Sequence, residues 1–317
     1  VAAAPPIEVR GLVKRYGELV AVDNVDLTVD AGDVYGYLGP NGAGKTTSLR
    51  MMLGLIRPTA GHVRLFGRDP LLGARALEGV AGFVEAPQFY PYMSGRRNLE
   101  LLAAYDGHEA SKRIDEALDT VELAGRAKDR VGGYSHGMRQ RLGIAGALLR
   151  APKLLLLDEP ATGLDPAGMR DMRVLIRRLA DEGMTVLLSS HLLPEVEELC
   201  NRVAIVRTGK IVYEGAIADL KRGAGAVYRL STTDDERALA VCRAQRGLGE
   251  IRIEHGYICF SADAAAAAEL SQALVEAGAL IQMLAPETVT LEDLFFSLTE
   301  GDGAGSSGGS ERAAVAT

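Results

Sequence analysis

The segments LGPNGAGKTTSLR (38–50) and LLLLDEP (154–160) hold the residues whose chemistry is easiest to state. Gly39, Gly44, Lys45 and Thr46 fit G-x-x-x-x-G-K-[ST], with Asn41, Gly42 and Ala43 inside the loop and Thr47 just after it. Glycines let such a loop turn its N–H groups inward, and a following helix adds the positive end of its dipole, so the loop suits phosphate. Lys45 would reach β- and γ-phosphates, and the Thr46 hydroxyl would bind Mg²⁺. The expected ligand is a nucleoside triphosphate. Asp158, at the tip of an apolar run, would meet the Mg²⁺ shell. Glu159, one residue on, could polarise an attacking water as a general base. A Gly-rich turn and an acidic loop after a core strand are the plainer readings of these residues; finding both motifs in one chain favours the chemical ones.

The elements that must hold these groups follow from the pattern. VYGYL (34–38) reads as a buried strand and TTSLRMMLGL (46–55) as a helix, the strand–loop–helix setting that the phosphate motif needs. IEVRGL and VDNVDLTVD alternate like strands, GHVRLFG and GVAGFVE (79–85) read as further strands, and residues 94–150 turn helical. KLLLLDEP and MTVLLSSH (184–191) are continuous apolar strands separated by the helical MRDMRVLIRRLADEG, and RVAIVRTG with KIVYEG reads as a hairpin. Such strands alternating with helices predict an α/β domain with a parallel sheet buried on both faces. After ADLKRGAGA (218–226) the order becomes β-α-β-β-α-β, the ferredoxin-like one, with HG (255–256) as the central turn and LEDLFFSLTE (291–300) as a last helix. The expected organisation is a nucleotide-binding domain over 1–217 with a helical subdomain near 86–150, a small α+β domain over 218–300, and a disordered Gly/Ser-rich tail over 301–317.

Composition narrows the function. The 317 residues carry a net charge of −7, and no basic cluster forms, so no nucleic-acid partner is expected. Cys200, Cys242 and Cys259 have no metal-like spacing and read as buried thiols in a reducing compartment. The first residues lack a secretory pattern, and no apolar run reaches the ~18 residues that a membrane-spanning helix needs.

With its motifs in the family order, the chain resembles the ATP-binding-cassette (ABC) ATPases, a P-loop NTPase family, over about residues 6 to 216. Besides the phosphate loop and LLLLDE, YSHGM (134–138) stands at the signature, ATGLD (161–165) at the D-loop, His191 at the switch histidine, and Tyr16 in KRYGE at the aromatic that stacks on adenine. The resemblance implies that two copies sandwich two ATP molecules. Each ATP would lie between one copy's phosphate loop and the other's signature, where Ser135 and the backbone at Gly137 would contact the γ-phosphate. His191 would bind that phosphate and position the water near Glu159, and Asp165 would link the two sites. Ser135 could also simply cap a helix, and Tyr16 could be core filling. Three positions depart from the family pattern: Glu85 where Gln is usual as a contact to Mg²⁺ and water, His136 for a signature Gly, and Met138 for a signature Gln.

Within the family, YPYMSGRRNLELLAAY and LEDLFFSLTE most resemble ATP-binding subunits of bacterial drug- and antibiotic-resistance exporters. This implies a homodimer at the cytoplasmic face of the membrane, bound to a separate polytopic permease. Tyr90, Tyr92 and Met93 are candidate permease contacts. Import, or a nucleotide switch without a pump, is the alternative reading. The C-terminal domain is expected to join the copies or report to the permease, without a bond to ATP.

Overall fold

The run Leu154–Leu157 forms a strand in which all four side chains are fully buried. Each such leucine contributes on the order of 2 kcal/mol by leaving water. A strand apolar at every position must be covered on both faces, and its neighbours show how. The computed structural model describes residues 4–223, 226–254, 256–287 and 290–300. The expected turn residue His255 and the 301–317 tail lie outside them. The chain divides between Ala216 and Ile217 into two compact units.

In the first unit the strands are β1 Ile7–Tyr16, β2 Leu19–Val29, β3 Val34–Leu38, β4 Ala60–Leu65, β5 Val80–Phe83, β6 Leu154–Asp158, β7 Thr185–Ser190, β8 Arg202–Arg207 and β9 Lys210–Ala216. The helices are α1 Lys45–Met52, α2 Gly95–Asp106, α3 His108–Lys112, α4 Ile114–Thr120, α5 His136–Leu148, α6 Pro166–Asp181 and α7 Leu193–Leu199. The central sheet has the order β5-β6-β7-β3-β8-β9, parallel except for β9, which pairs antiparallel with β8 as the expected hairpin. The early alternating segments do not join it. They form a separate antiparallel sheet, β2-β1-β4, which contributes Ile7, Val9, Leu27 and Leu65 to the same core as Leu154 and Leu156.

Helix starts follow local chemistry. Ser94, Ser135 and Asp165 cap α2, α5 and α6 by accepting from the backbone N–H three residues on, each cap worth about 1 kcal/mol. Pro166 follows Asp165 at the first helical position, where its missing N–H costs nothing. Two boundaries differ from the sequence expectation. The helix after the loop stops at Met52 rather than Leu55, with Gly54 at φ 69°. The strand expected to reach Glu85 stops at Phe83, because Glu85 takes φ 69° and leaves the extended region.

The second unit contains α8 Ile217–Gly223, β10 Ala226–Thr232, α9 Asp235–Ala244, β11 Ile251–Glu254, β12 Tyr257–Ala262, α10 Ala264–Glu276, β13 Ile281–Glu287 and α11 Leu291–Glu300. Its sheet order, β11-β12-β10-β13, is antiparallel throughout and has the ferredoxin-like arrangement. Leu230, Cys242, Phe260, Leu270 and Leu274 fill its core. All three cysteines of the chain are buried. Among the described residues no helix is long and apolar enough to cross a membrane.

Candidate functional site

Three neighbouring strands, β6, β7 and β3, end side by side, and their carboxyl ends carry the chemistry. In open α/β sheets ligands bind outside such ends. Leu38 stands opposite Ser190, and Asp158 opposite Ser189. The loop from Gly39 to Gly44, the acids Asp158 and Glu159, and His191 are thereby brought together.

The loop geometry explains its glycines. At Gly44, φ is 98° and a Cβ would sit 2.3 Å from the Ala21 carbonyl oxygen. At Gly39 a Cβ would sit 2.5 Å from the Val206 carbonyl oxygen. Neither place admits a side chain. The loop then delivers Lys45 at the first residue of α1, only 5% exposed. Its ammonium donates to the carbonyl oxygens of Gly39 (2.8 Å) and Pro40 (3.3 Å) and lies 3.2 Å from Glu159 Oε1.

Glu159 is held on every side. Its φ is 49°, a left-handed backbone that turns the side chain out of the sheet toward the loop. Its N–H donates to Ser189 Oγ at 3.0 Å. Thr162 Oγ1 (2.9 Å) and His191 Nδ1 (2.7 Å) both donate to its Oε2. Partial burial pushes this carboxyl up, but the Lys45 ammonium and the two hydrogen bonds outweigh it and hold it below the ordinary carboxylate value. Glu159 is therefore an ionised carboxylate at neutral pH.

Asp158 is buried beneath it and bridges two hydroxyls. Thr46 Oγ1 donates to Oδ2 at 2.9 Å, and Ser189 Oγ donates to Oδ1 at 2.5 Å. A hydroxyl and a carboxylate side by side are hard oxygen donors. They fit Mg²⁺, which is typically bound by one or two protein oxygens together with substrate phosphates.

An open cavity of about 600 Å³ collects Tyr16, Asn41, Gly42, Gly44, Lys45, Thr46, Thr47, Glu159, Thr162 and His191. Tyr16 is 48% exposed, so it is no core residue, and Lys14 Nζ sits 5.1 Å from its ring centre. Ala43, inside the loop, is buried. Glu85 does not join this group: its side chain is turned to an ion pair with Arg50 of α1. Ser135, Gly137 and Asp165 line a second cavity of about 420 Å³, which shares no residue with the first. Ser135 Oγ accepts from Met138 N–H at 3.2 Å, so it does cap its helix. Two residues of the constellation, Thr162 and Ser189, are not singled out by the sequence reading, and neither is Arg50, the partner of Glu85. Thr162 lies inside ATGLD and Ser189 two residues before His191, so adjacency to a motif was the available signal.

Comparison with known proteins agrees with this geometry. The family model described as "ABC transporter" matches residues 22–162. A bacitracin transport ATP-binding protein of Bacillus licheniformis is 38% identical over 298 residues, 93% of this chain and 97% of that protein. The chain belongs to the ABC transporter ATP-binding family. A daunorubicin/doxorubicin resistance ATP-binding protein of Streptomyces peucetius is 40% identical over 237 residues, 72% of this chain and 71% of that one. Among solved structures, an ATP-binding subunit of an ABC transporter superposes with a TM-score of 0.62 at 28% identity, covering 69% of this chain and 92% of that one. A dimeric cassette in a post-hydrolysis state with ADP and phosphate superposes with a TM-score of 0.60 at 25% identity, covering 67% of this chain and 98% of that one. This ABC protein is an ATPase, the nucleotide-binding motor subunit of a transporter.

Proposed function

We propose that the chain drives a drug- or antibiotic-exporting transporter whose membrane-spanning part is a separate permease, and that it works as a homodimer at the cytoplasmic face of the membrane. The relatives named above are a bacitracin transport and a daunorubicin/doxorubicin resistance protein. The bacitracin-type match extends into the second unit, since 93% of the chain is covered.

The observation that carries the mechanism is Glu159, held between Lys45, His191 and Thr162 on the wall of the phosphate-loop cavity. In the proposed cycle the loop N–H groups and Lys45 hold the β- and γ-phosphates, and Tyr16 stacks on adenine. Thr46 and Asp158 would hold Mg²⁺, which when bound supplies positive charge to the phosphate oxygens, and Glu85 would reach it only on leaving Arg50. Once Lys45 turns to phosphate, Glu159 Oε1 is free to accept a proton from water. The water oxygen bonds to the γ-phosphorus, and the bond to the β–γ bridging oxygen breaks, leaving its electron pair on ADP. His191 orients the γ-phosphate. The two cavities of one chain suit a sandwich, because the signature pair Ser135 and Gly137 lies apart from the chain's own loop and is available to a second copy's ATP. Asp165, capping α6 beside that cavity, would link the two sites. Closure of the pair would pull on permease helices docked near Tyr90, Tyr92 and Met93, and hydrolysis would reset it.

The test is affinity capture of the full-length chain from detergent-solubilised host membranes. Stoichiometric recovery of a polytopic membrane protein, with ATP hydrolysis that depends on Glu159, is expected. Recovery of ribosomes or DNA without such a protein would contradict the pump.

A further inference from the structure

His136 occupies a signature position where the family pattern has glycine, and its ring is not idle. Nε2 lies 3.0 Å from the Thr162 carbonyl oxygen, so it carries the proton and donates to the D-loop backbone. The hydroxyl of the same Thr162 donates to Glu159 Oε2 at 2.9 Å. One residue therefore receives the signature segment through its backbone and passes a contact to the carboxylate through its side chain. The ring also packs over Gly163, where a Cβ would meet Nε2 at 3.4 Å. Ser135 and Gly137, the signature residues on either side of His136, line the second cavity with Gly163 and Asp165.

We propose that His136 is a positioning residue. It fastens the signature segment to the Thr162 backbone, and so sets Glu159 Oε2 in this chain's own site according to how the segment sits on the other site's nucleotide. A glycine there has no side-chain donor and could not do this. The inference rests on the sandwich described under Proposed function. It goes further by naming a side-chain route within one chain from one half-site to the other. A shared route predicts coupling, and a double-mutant cycle measures it.

The experiment uses the full-length protein and steady-state ATP hydrolysis, with a fluorescent ATP analogue reporting binding. H136L should lower kcat roughly five- to tenfold, a size usual for coupled contacts, with KM and analogue affinity nearly unchanged. H136Q, which keeps an N–H donor of similar reach, should stay within about twofold of the parent. T162V keeps the carbonyl but loses the hydroxyl, and should lower kcat by a similar factor. The H136L/T162V double variant should be no slower than T162V alone. If H136L does not fold, H136N, whose amide is too short to reach Thr162, carries the same expectation. Unchanged kcat in H136L, or losses that multiply in the double variant, would overturn the proposal while leaving the ATPase reading intact. A parent protein that binds the analogue but never hydrolyses ATP would overturn both.

Discussion

Lys45 and Glu159, the residues proposed to hold the terminal phosphate and to activate water against it, form an ion pair of 3.2 Å with each other. Lys45 is almost wholly buried, and its other two partners are backbone carbonyls. The ammonium helps to hold the carboxylate ionised in a site where a buried charge left alone would be costly. In the proposed cycle it also reserves the carboxylate until phosphate competes for the lysine.

Replacing Glu159 by Gln should therefore separate binding from chemistry. The amide keeps the shape and can still accept from Thr162 and His191, but it cannot take a proton from water. Phosphate release should fall about 10²- to 10⁴-fold, while a fluorescent nucleotide binds normally and gel filtration shows an ATP-stabilised dimer. Near-normal turnover would place the base elsewhere.

Lys45→Ala should act on binding itself. A lost charge-assisted contact to phosphate is worth about 1.5–3 kcal/mol, so nucleotide affinity measured by equilibrium fluorescence should drop at least tenfold. An unaltered dissociation constant would remove Lys45 from the phosphate site.

The second unit is expected to lose stability in alkali. Burial pushes the Cys242 thiol from 9.0 up to about 11, so the folded chain holds this proton more tightly than the unfolded one. Stability is thus intact below the ordinary thiol value and declines as pH rises from about 9 toward 11, at a rate of up to roughly 1.4 kcal/mol per pH unit for one group. Denaturant melts at pH 8 and pH 10 should differ less in Cys242→Ala than in the parent. At pH 8, native protein should also resist thiol reagents that label it once unfolded.

Arg50 and Glu85 make an exposed ion pair, which stabilises the fold by no more than about 1 kcal/mol. Arg50→Ala should leave the melting temperature almost unchanged. It should free a charged oxygen for the cation and so lower the Mg²⁺ concentration that half-saturates binding of the fluorescent nucleotide. A shift in the opposite direction would rule Glu85 out as a cation contact.

The parts of this molecule written in local pattern were readable from sequence. Leu154–Leu157 reads as a strand covered on both faces, and Gly39 and Gly44 mark places where a side chain has no room. The β-α-β-β-α-β order of the second unit also followed from its periodicity. What could not be read depends on which distant segments pair. The early strands alternate as any half-buried strand does, and nothing in them says that they form a sheet of their own. Ser189 and Thr162 carry ordinary hydroxyls. Their place beside Asp158 and Glu159 arises from a strand register across 31 residues and from a tight turn. Arg50 reads as a surface residue of its helix until Glu85 leaves its strand and turns toward it.

Glu85 and Glu159 share one more trait: both sit in the left-handed backbone region, at φ 69° and 49°. Glycine or asparagine would occupy that region with less strain. The proposed base and the proposed cation contact are therefore seated where a sequence optimised only for heat resistance would not put them. Consensus or stability-guided redesign would single out these positions for improvement, and on the proposed roles each such gain in robustness would come at the expense of the motor.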